Sequence, residues 1–182
     1  KYITKSASEN YGVGKTLVEW KYQSNATCPR CSRLVETPTH VQQCEGYAAN
    51  EVFKKKISKI EEFLTKEQTR PDLQDAILQC IKKWRAKEPI YLNDYQDDVQ
   101  DVLRQQHSIG WLDMMECLPA KGWQMLQRQY YNEQNICKSS RRWIKGVLRQ
   151  LQHLGHQQWK HRCDVKANIT RPQEKEHVEI MH

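Results

Sequence analysis

Cys28, Cys31, His40 and Cys44 stand in the order C-x2-C-x8-H-x3-C, and no other feature constrains this chain as tightly. Zn2+ favours four tetrahedral ligands drawn from thiolate and imidazole, and a full set of four leaves no coordination position for water. The two-residue gap lets both thiolates reach one metal from a tight turn. The three-residue gap sets His40 and Cys44 about one helical turn apart, on one face. The spacing therefore predicts a closed, structural Zn2+ site, with folding rather than catalysis as the metal's task. Metal binding in such sites contributes on the order of 10 kcal/mol near neutral pH, comparable with a whole domain's stability.

The other four cysteines, Cys80, Cys117, Cys137 and Cys163, are scattered and fall mostly within helical patterns. They read as free thiols in a reducing compartment rather than as a disulfide framework. That places the protein inside the cell, cytoplasmic or nuclear, and makes the two Asn-x-Thr sequons at Asn25 and Asn168 idle matches. No apolar run approaches a membrane span, mean hydropathy is −0.90, and no apolar segment follows Lys1-Tyr2-Ile3-Thr4-Lys5 to make a signal peptide. A chain that starts without Met is expected to be a processed product or, better, a fragment of a longer polypeptide.

From about residue 49 the apolar positions recur at helical spacing. Phe53, Ile57, Ile60 and Leu64 define one helix; Leu73, Ile77, Ile81 and Trp84 a second, with Thr69 as its cap; Val99, Val102 and Leu103 a third, capped from Asn93-Asp94. Ile109, Trp111, Leu112, Met115 and Leu118 form a further apolar run, and Trp123, Leu126 and Tyr130 continue at helical spacing. The longest helix is predicted from about Ser140 to residue 165, with Ile144, Val147, Leu148, Leu151 and Leu154 inward. No segment alternates long enough for a clear strand, although the zinc segment has room for a short hairpin. The expected fold is mainly α: a zinc-binding module over residues 1–48, a helical domain over 49–166, and a flexible tail over 167–182.

The formal charge is +7, and residues 138–166, with eight basic side chains against Asp164, carry that whole excess. On the longest helix Arg142, Lys145, Arg149, His153, His156 and Lys160 follow one another at 3-4-4-3-4 spacing. They form one stripe, roughly 27 Å long at about 1.5 Å per residue, opposite the apolar face. Acids at i,i+4, usual on a solvated helix, are missing. A rail of this kind suits a polyanion, so RNA or DNA is the expected partner.

Three other signals carry less. Gly12-Val13-Gly14-Lys15-Thr16 ends like a phosphate-binding loop, but Glu9 stands where the leading Gly belongs and no apolar strand precedes it. His177-Val178-Glu179 with Cys28-Pro29-Arg30-Cys31 has the pieces of a zinc deaminase in reversed order, and His40 and Cys44 already complete the metal set. Trp84, Trp111, Trp123, Trp143 and Trp159 sit in helical stretches, where core packing outweighs base stacking.

Thr27-Cys28-Pro29-Arg30-Cys31, followed by Glu36-Thr37-Pro38-Thr39-His40-Val41 and Cys44, resembles the "CPxCG…ET…HV…C" element of the zinc-binding region of reverse transcriptases, downstream of the polymerase domain in retroelement reading frames. More specifically the chain resembles reverse-transcriptase-associated proteins of diatom-type algae. Gly12 to Lys15, Ile109-Gly110-Trp111, Trp123 through Gln127 to Tyr130-Tyr131, Trp143 and Trp159-Lys160-His161-Arg162 carry that likeness. Three positions depart from it: Ser32 replaces a Gly, Cys163 an Asn, and Ala167 a common His. The resemblance implies a mobile-element accessory domain that binds nucleic acid beside a polymerase, the polymerase being a further expected partner. It implies no catalysis here, and no nucleophile and base are brought together by spacing. The expected function is thus a non-catalytic, zinc-stabilised nucleic-acid-binding domain; the alternative is a protein–protein scaffold with a structural zinc.

Overall fold

The computed structural model describes residues 12–180, with side chains to Asn168. Among them are eight α-helices and no strand: α1 (Gly14–Glu19), α2 (Pro38–Gln43), α3 (Tyr47–Lys66), α4 (Pro71–Ala86), α5 (Asp97–Ile109), α6 (Trp111–Met115), α7 (Lys121–Glu133) and α8 (Ser140–Ile180). The hairpin expected in the cysteine segment reduces to one isolated antiparallel bridge between Thr27 and Val35. No described helix is long and apolar enough to cross a membrane.

The chain forms two compact units. One runs to Phe53 and takes in the residues from His156 on; the other is Lys54–Gly155. Helices α3 and α8 each contribute to both. The polar end of the chain, expected as a tail over 167–182, lies almost wholly outside the residues whose side chains are described, and the backbone of α8 is helical to Ile180.

Within Lys54–Gly155 the helical periods bury most of the residues they select, while Trp84, Leu126, Tyr130 and Leu148 are only half-buried. Ile57, Ile60, Leu64, Leu73, Ile77, Ile81, Val99, Val102, Leu103, Val147 and Leu151 are all buried, each worth about 1.5–3 kcal/mol in area removed from water. Trp123 and Trp143 are fully buried, as their helical positions suggested, while Ile109 and Leu118 of the apolar run remain exposed at the ends of the short α6 segment.

Two helix caps differ from expectation. Arg70 takes the N-cap position of α4 without a side-chain cap bond, and Thr69 instead accepts the indole N–H of Trp143 at 2.8 Å. A buried tryptophan N–H without an acceptor would cost more than a lost cap, so the hydroxyl goes to the ring. Likewise Asn93 and Asp94 lie in a 3-10 turn, Leu92–Asp94, and α5 begins after Gln96 with Asp97 and Asp98 in its first turn. Acids there complement the helix dipole, and Asp98 also pairs with Arg70 at 2.7 Å.

The interior of this unit is partly polar. Gln106, fully buried, accepts the Ala120 N–H at 2.7 Å and the Trp123 indole N–H at 3.2 Å, and donates to the Gly110 carbonyl at 2.9 Å. Gln127, also fully buried, accepts the Arg70 N–H at 3.0 Å and donates to the Gln68 carbonyl at 3.2 Å. These amides satisfy the open backbone ends that short connections between helices leave behind.

Candidate metal centre and basic face

The four residues of the cysteine-histidine pattern converge. Their ligand atoms all lie within 4.8 Å of one another, in a setting where Cys28, His40 and Cys44 are buried. Cys28 Sγ is 3.9 Å from Cys44 Sγ, and Cys31 Sγ is 3.5 Å from His40 Nε2. A tetrahedral ion with metal–sulfur bonds of about 2.3 Å and a metal–nitrogen bond of about 2.0 Å has S–S edges of about 3.8 Å and S–N edges of about 3.5 Å. The cluster therefore fits one ion at its centre. Every described cysteine is a free thiol.

Local sequence builds each arm. Cys28 and Cys31 flank a tight turn closed by the Ser32 N–H bonding to the Cys28 carbonyl at 2.8 Å. Within it, the backbone N–H groups of Arg30 and Cys31 face the Cys28 sulfur, and those of Arg33 and Leu34 face the Cys31 sulfur. The turn carries Ser32 to φ +53°, a left-handed conformation that glycine adopts without strain. On the other arm Thr37 caps α2, accepting the His40 N–H at 3.0 Å, and Pro38 occupies the first turn. His40 thus projects from a rigid short helix, and Cys44 stands at its C-cap in extended conformation rather than within the last turn. Gly46 follows because the chain passes so close to Arg30 that a Cβ there would stand 2.6 Å from the Arg30 carbonyl oxygen.

The electrostatics favour a cation. The hydrogen bond from Cys44 depresses the Cys28 thiol to about 3, against the opposing effect of burial. The same hydrogen bond raises Cys44, which holds its proton as donor to the Cys28 sulfur, and burial raises it further. Burial pushes Cys31 up, but the backbone N–H groups of Arg33 and Leu34 outweigh it and the net shift is down. The hydrogen bond with Cys28 raises the pKa of His40. Sulfurs crowded in this way accept full negative charge together only when a metal ion sits among them.

A buried ion pair braces this module. Glu36 accepts Arg162 Nε at 2.7 Å and Arg162 Nη2 at 2.6 Å, with side chains 1% and 6% exposed. The same carboxylate accepts the Gly14 N–H at 2.7 Å, and Arg162 also donates to the Gly12 carbonyl at 3.0 Å. Burial would lower the pKa of Arg162, yet the hydrogen bonds and charge of Glu36 prevail and raise it. The guanidinium lies 5.1 Å from the ring centre of Trp159, which packs on Val13 and Val41. Gly14 is held so closely that a Cβ would meet the Ala26 carbonyl oxygen at 2.5 Å. The Gly-Val-Gly-Lys segment thus works as a backbone clamp on Glu36, with its glycine N–H committed to a side chain.

A second polar link was missed in the sequence. Arg30, between the first two cysteines, donates to Gln158 Oε1 at 2.7 Å and to the Val41 carbonyl, and Gln158 donates to the Ala49 carbonyl at 3.1 Å. Periodicity places Gln158 on α8 but cannot identify a polar residue as buried. The only available signal was its position, four residues beyond the inward-facing Leu154.

All six residues of the basic stripe are exposed. Arg142, Lys145, Arg149 and His153 belong to the Lys54–Gly155 unit, and His156 and Lys160 to the other. No described carboxylate pairs with Arg142, Lys145 or Arg149. These three, together with Lys138, line a groove of about 520 Å³ that also contains Phe63 and Gly146. Among the described residues the only acid in its wall is Glu67, 3.6 Å from Lys138.

No protein-family model, curated protein or solved structure matches the chain.

Proposed function

We propose that this is a non-catalytic nucleic-acid-binding domain whose metal module holds Zn2+ as a folding element, and that it serves beside a reverse-transcriptase-type polymerase of a retroelement. Three thiolates and one imidazole form a closed donor set for zinc, one that offers structure and no open coordination site. The observation that carries the binding reading is the exposed row Arg142, Lys145 and Arg149 on α8, which pairs with no carboxylate among the described residues. A row of cations one helical turn apart follows a run of phosphates, and its energy comes from released counterions. The retroelement assignment rests on the motif residues alone, above all Glu36-Thr37-Pro38-Thr39-His40-Val41 beside the cysteines.

The test is binding of the metal-loaded chain to RNA and duplex DNA across a salt series, with the Arg142→Glu, Lys145→Glu, Arg149→Glu triple variant alongside. Affinity is expected to fall steeply with salt. The triple variant should bind weakly, with a log–log salt slope smaller by about two to three. Salt-independent binding, or equal binding by the variant, refutes the reading. A chain that ignores nucleic acid would turn attention to Trp20 and Tyr22, exposed aromatics in edge-to-face contact at 6.4 Å, as a protein-docking surface.

A further inference from the structure

The groove beside the basic row contains an aromatic wall that duplex binding would not use. Phe63, on α3, reaches α8 at Gly146, where any Cβ would collide with the tip of its ring. Glycine at that point lets the ring pack against α8 in the groove that Arg142, Lys145 and Arg149 also line. At about 520 Å³ the space falls within the roughly 300–1,000 Å³ of pockets that enclose small ligands. Its chemistry is an aromatic surface with several cations around it, the combination with which proteins hold unpaired bases.

We infer that this groove receives an unpaired nucleotide of a single strand, with its phosphates against Arg142, Lys145 and Arg149 and its base against Phe63. The inference rests on the nucleic-acid reading above and makes it specific. In a duplex each base is stacked between neighbours and paired across the helix, so only phosphates reach α8 and the Phe63 wall contributes nothing. In a single strand a base turns into the groove at little cost, and the aromatic contact adds to the electrostatic one. Charge complementarity selects the polyanion, and the ring selects the unpaired form.

The experiment compares a labelled single strand of about twelve nucleotides with the same sequence as a duplex. It uses fluorescence anisotropy with the full, zinc-saturated chain at one salt concentration. The single strand is expected to bind more tightly. Phe63→Leu, which keeps apolar bulk and removes the ring, should weaken single-strand binding at least about fivefold, the factor matching roughly 1 kcal/mol of stacking, and leave duplex binding within about twofold. A wild-type chain that binds the duplex as tightly as the strand overturns the inference without any variant. So does a folded Phe63→Leu chain that binds both forms as before, or loses both equally; in these cases the nucleic-acid reading stands. Absence of binding to either form at low salt removes both.

Discussion

Replacing Arg162 by Met removes the guanidinium while keeping an unbranched stem against Trp159. Glu36 then loses both hydrogen bonds of a bidentate pair and keeps only the Gly14 N–H. Its carboxylate side chain is 1% exposed, so water does not reach it to compensate. Breaking a buried pair by removing one partner costs about 3–5 kcal/mol, because the remaining charge stays desolvated. In a unit of this size 1 kcal/mol corresponds to about 4–8 °C in melting temperature, so Arg162→Met is expected to lower Tm by about 12 °C or more. Replacing both partners should cost far less than the sum of the single changes. In Glu36→Gln with Arg162→Met no charge remains buried, and the glutamine carbonyl still accepts from Gly14. The assay is thermal or urea unfolding of the four chains of this double-mutant cycle. Free zinc is held constant, since bound metal stabilises by mass action. A coupling of about 2 kcal/mol or more is expected. An Arg162→Met chain within about 1 kcal/mol of wild type, or strictly additive single changes, would refute the claim that this pair holds the module together.

Three further outcomes follow from the same structure. Metal analysis should find one zinc per chain, and chelation or Cys31→Ser should expose residues 20–50 to rapid amide exchange; unchanged exchange and unchanged circular dichroism would count against a folding role for the metal. Gly46→Ala forces a Cβ to 2.6 Å from the Arg30 carbonyl oxygen, so a loss of about 1–3 kcal/mol and weaker zinc retention are expected, measured by competition with a chromophoric chelator. Asp98 is held below the usual carboxylate range, first by its hydrogen bonds with Arg70. A depressed carboxylate pKa adds stability above the unfolded value of about 3.9 and loses it as pH falls through the folded value. The side chain is 40% exposed, so the contribution is at most about 1 kcal/mol. The stability gap between wild type and Asp98→Asn should therefore be constant above about pH 5 and close below pH 4; a gap independent of pH would show that the pair contributes nothing.

The parts of this molecule that were legible in the sequence are those written locally. The ligand set follows from spacing within seventeen residues, and the inward faces of α3, α4, α5 and α8 follow from the 3.6-residue period. The two misplaced caps had a different cause. Thr69 and Asn93-Asp94 have good capping chemistry, but side chains distant in sequence decide whether a hydroxyl serves a helix end or a buried indole. The pairing of Glu36 with Arg162 spans 126 residues, and nothing in either residue's neighbourhood identifies the other. Both stood in segments that the sequence reading singled out, Glu36 in the cysteine-histidine element and Arg162 in Trp159-Lys160-His161-Arg162. Their contact supplies a physical reason for those two motifs to occur in one chain.

The buried glutamines have a common logic. Gln106, Gln127 and Gln158 are each completely buried, and a hydropathy pattern reads all three as surface. Each receives from one group and donates to another: the Ala120 N–H and the Gly110 carbonyl, the Arg70 N–H and the Gln68 carbonyl, the Arg30 guanidinium and the Ala49 carbonyl. Three of those groups stand where a helix leaves backbone open: the Ala120 and Arg70 N–H groups at helix N-caps, and the Gln68 carbonyl just past the end of α3. A chain of short helices has many such ends and few residues to cover them, so some helix interiors must supply an amide with both a donor and an acceptor. Leucine in place of Gln106 or Gln127 would fit the hydrophobic period better and fold worse, because it would strand the Ala120 or the Arg70 N–H at about 1–3 kcal/mol.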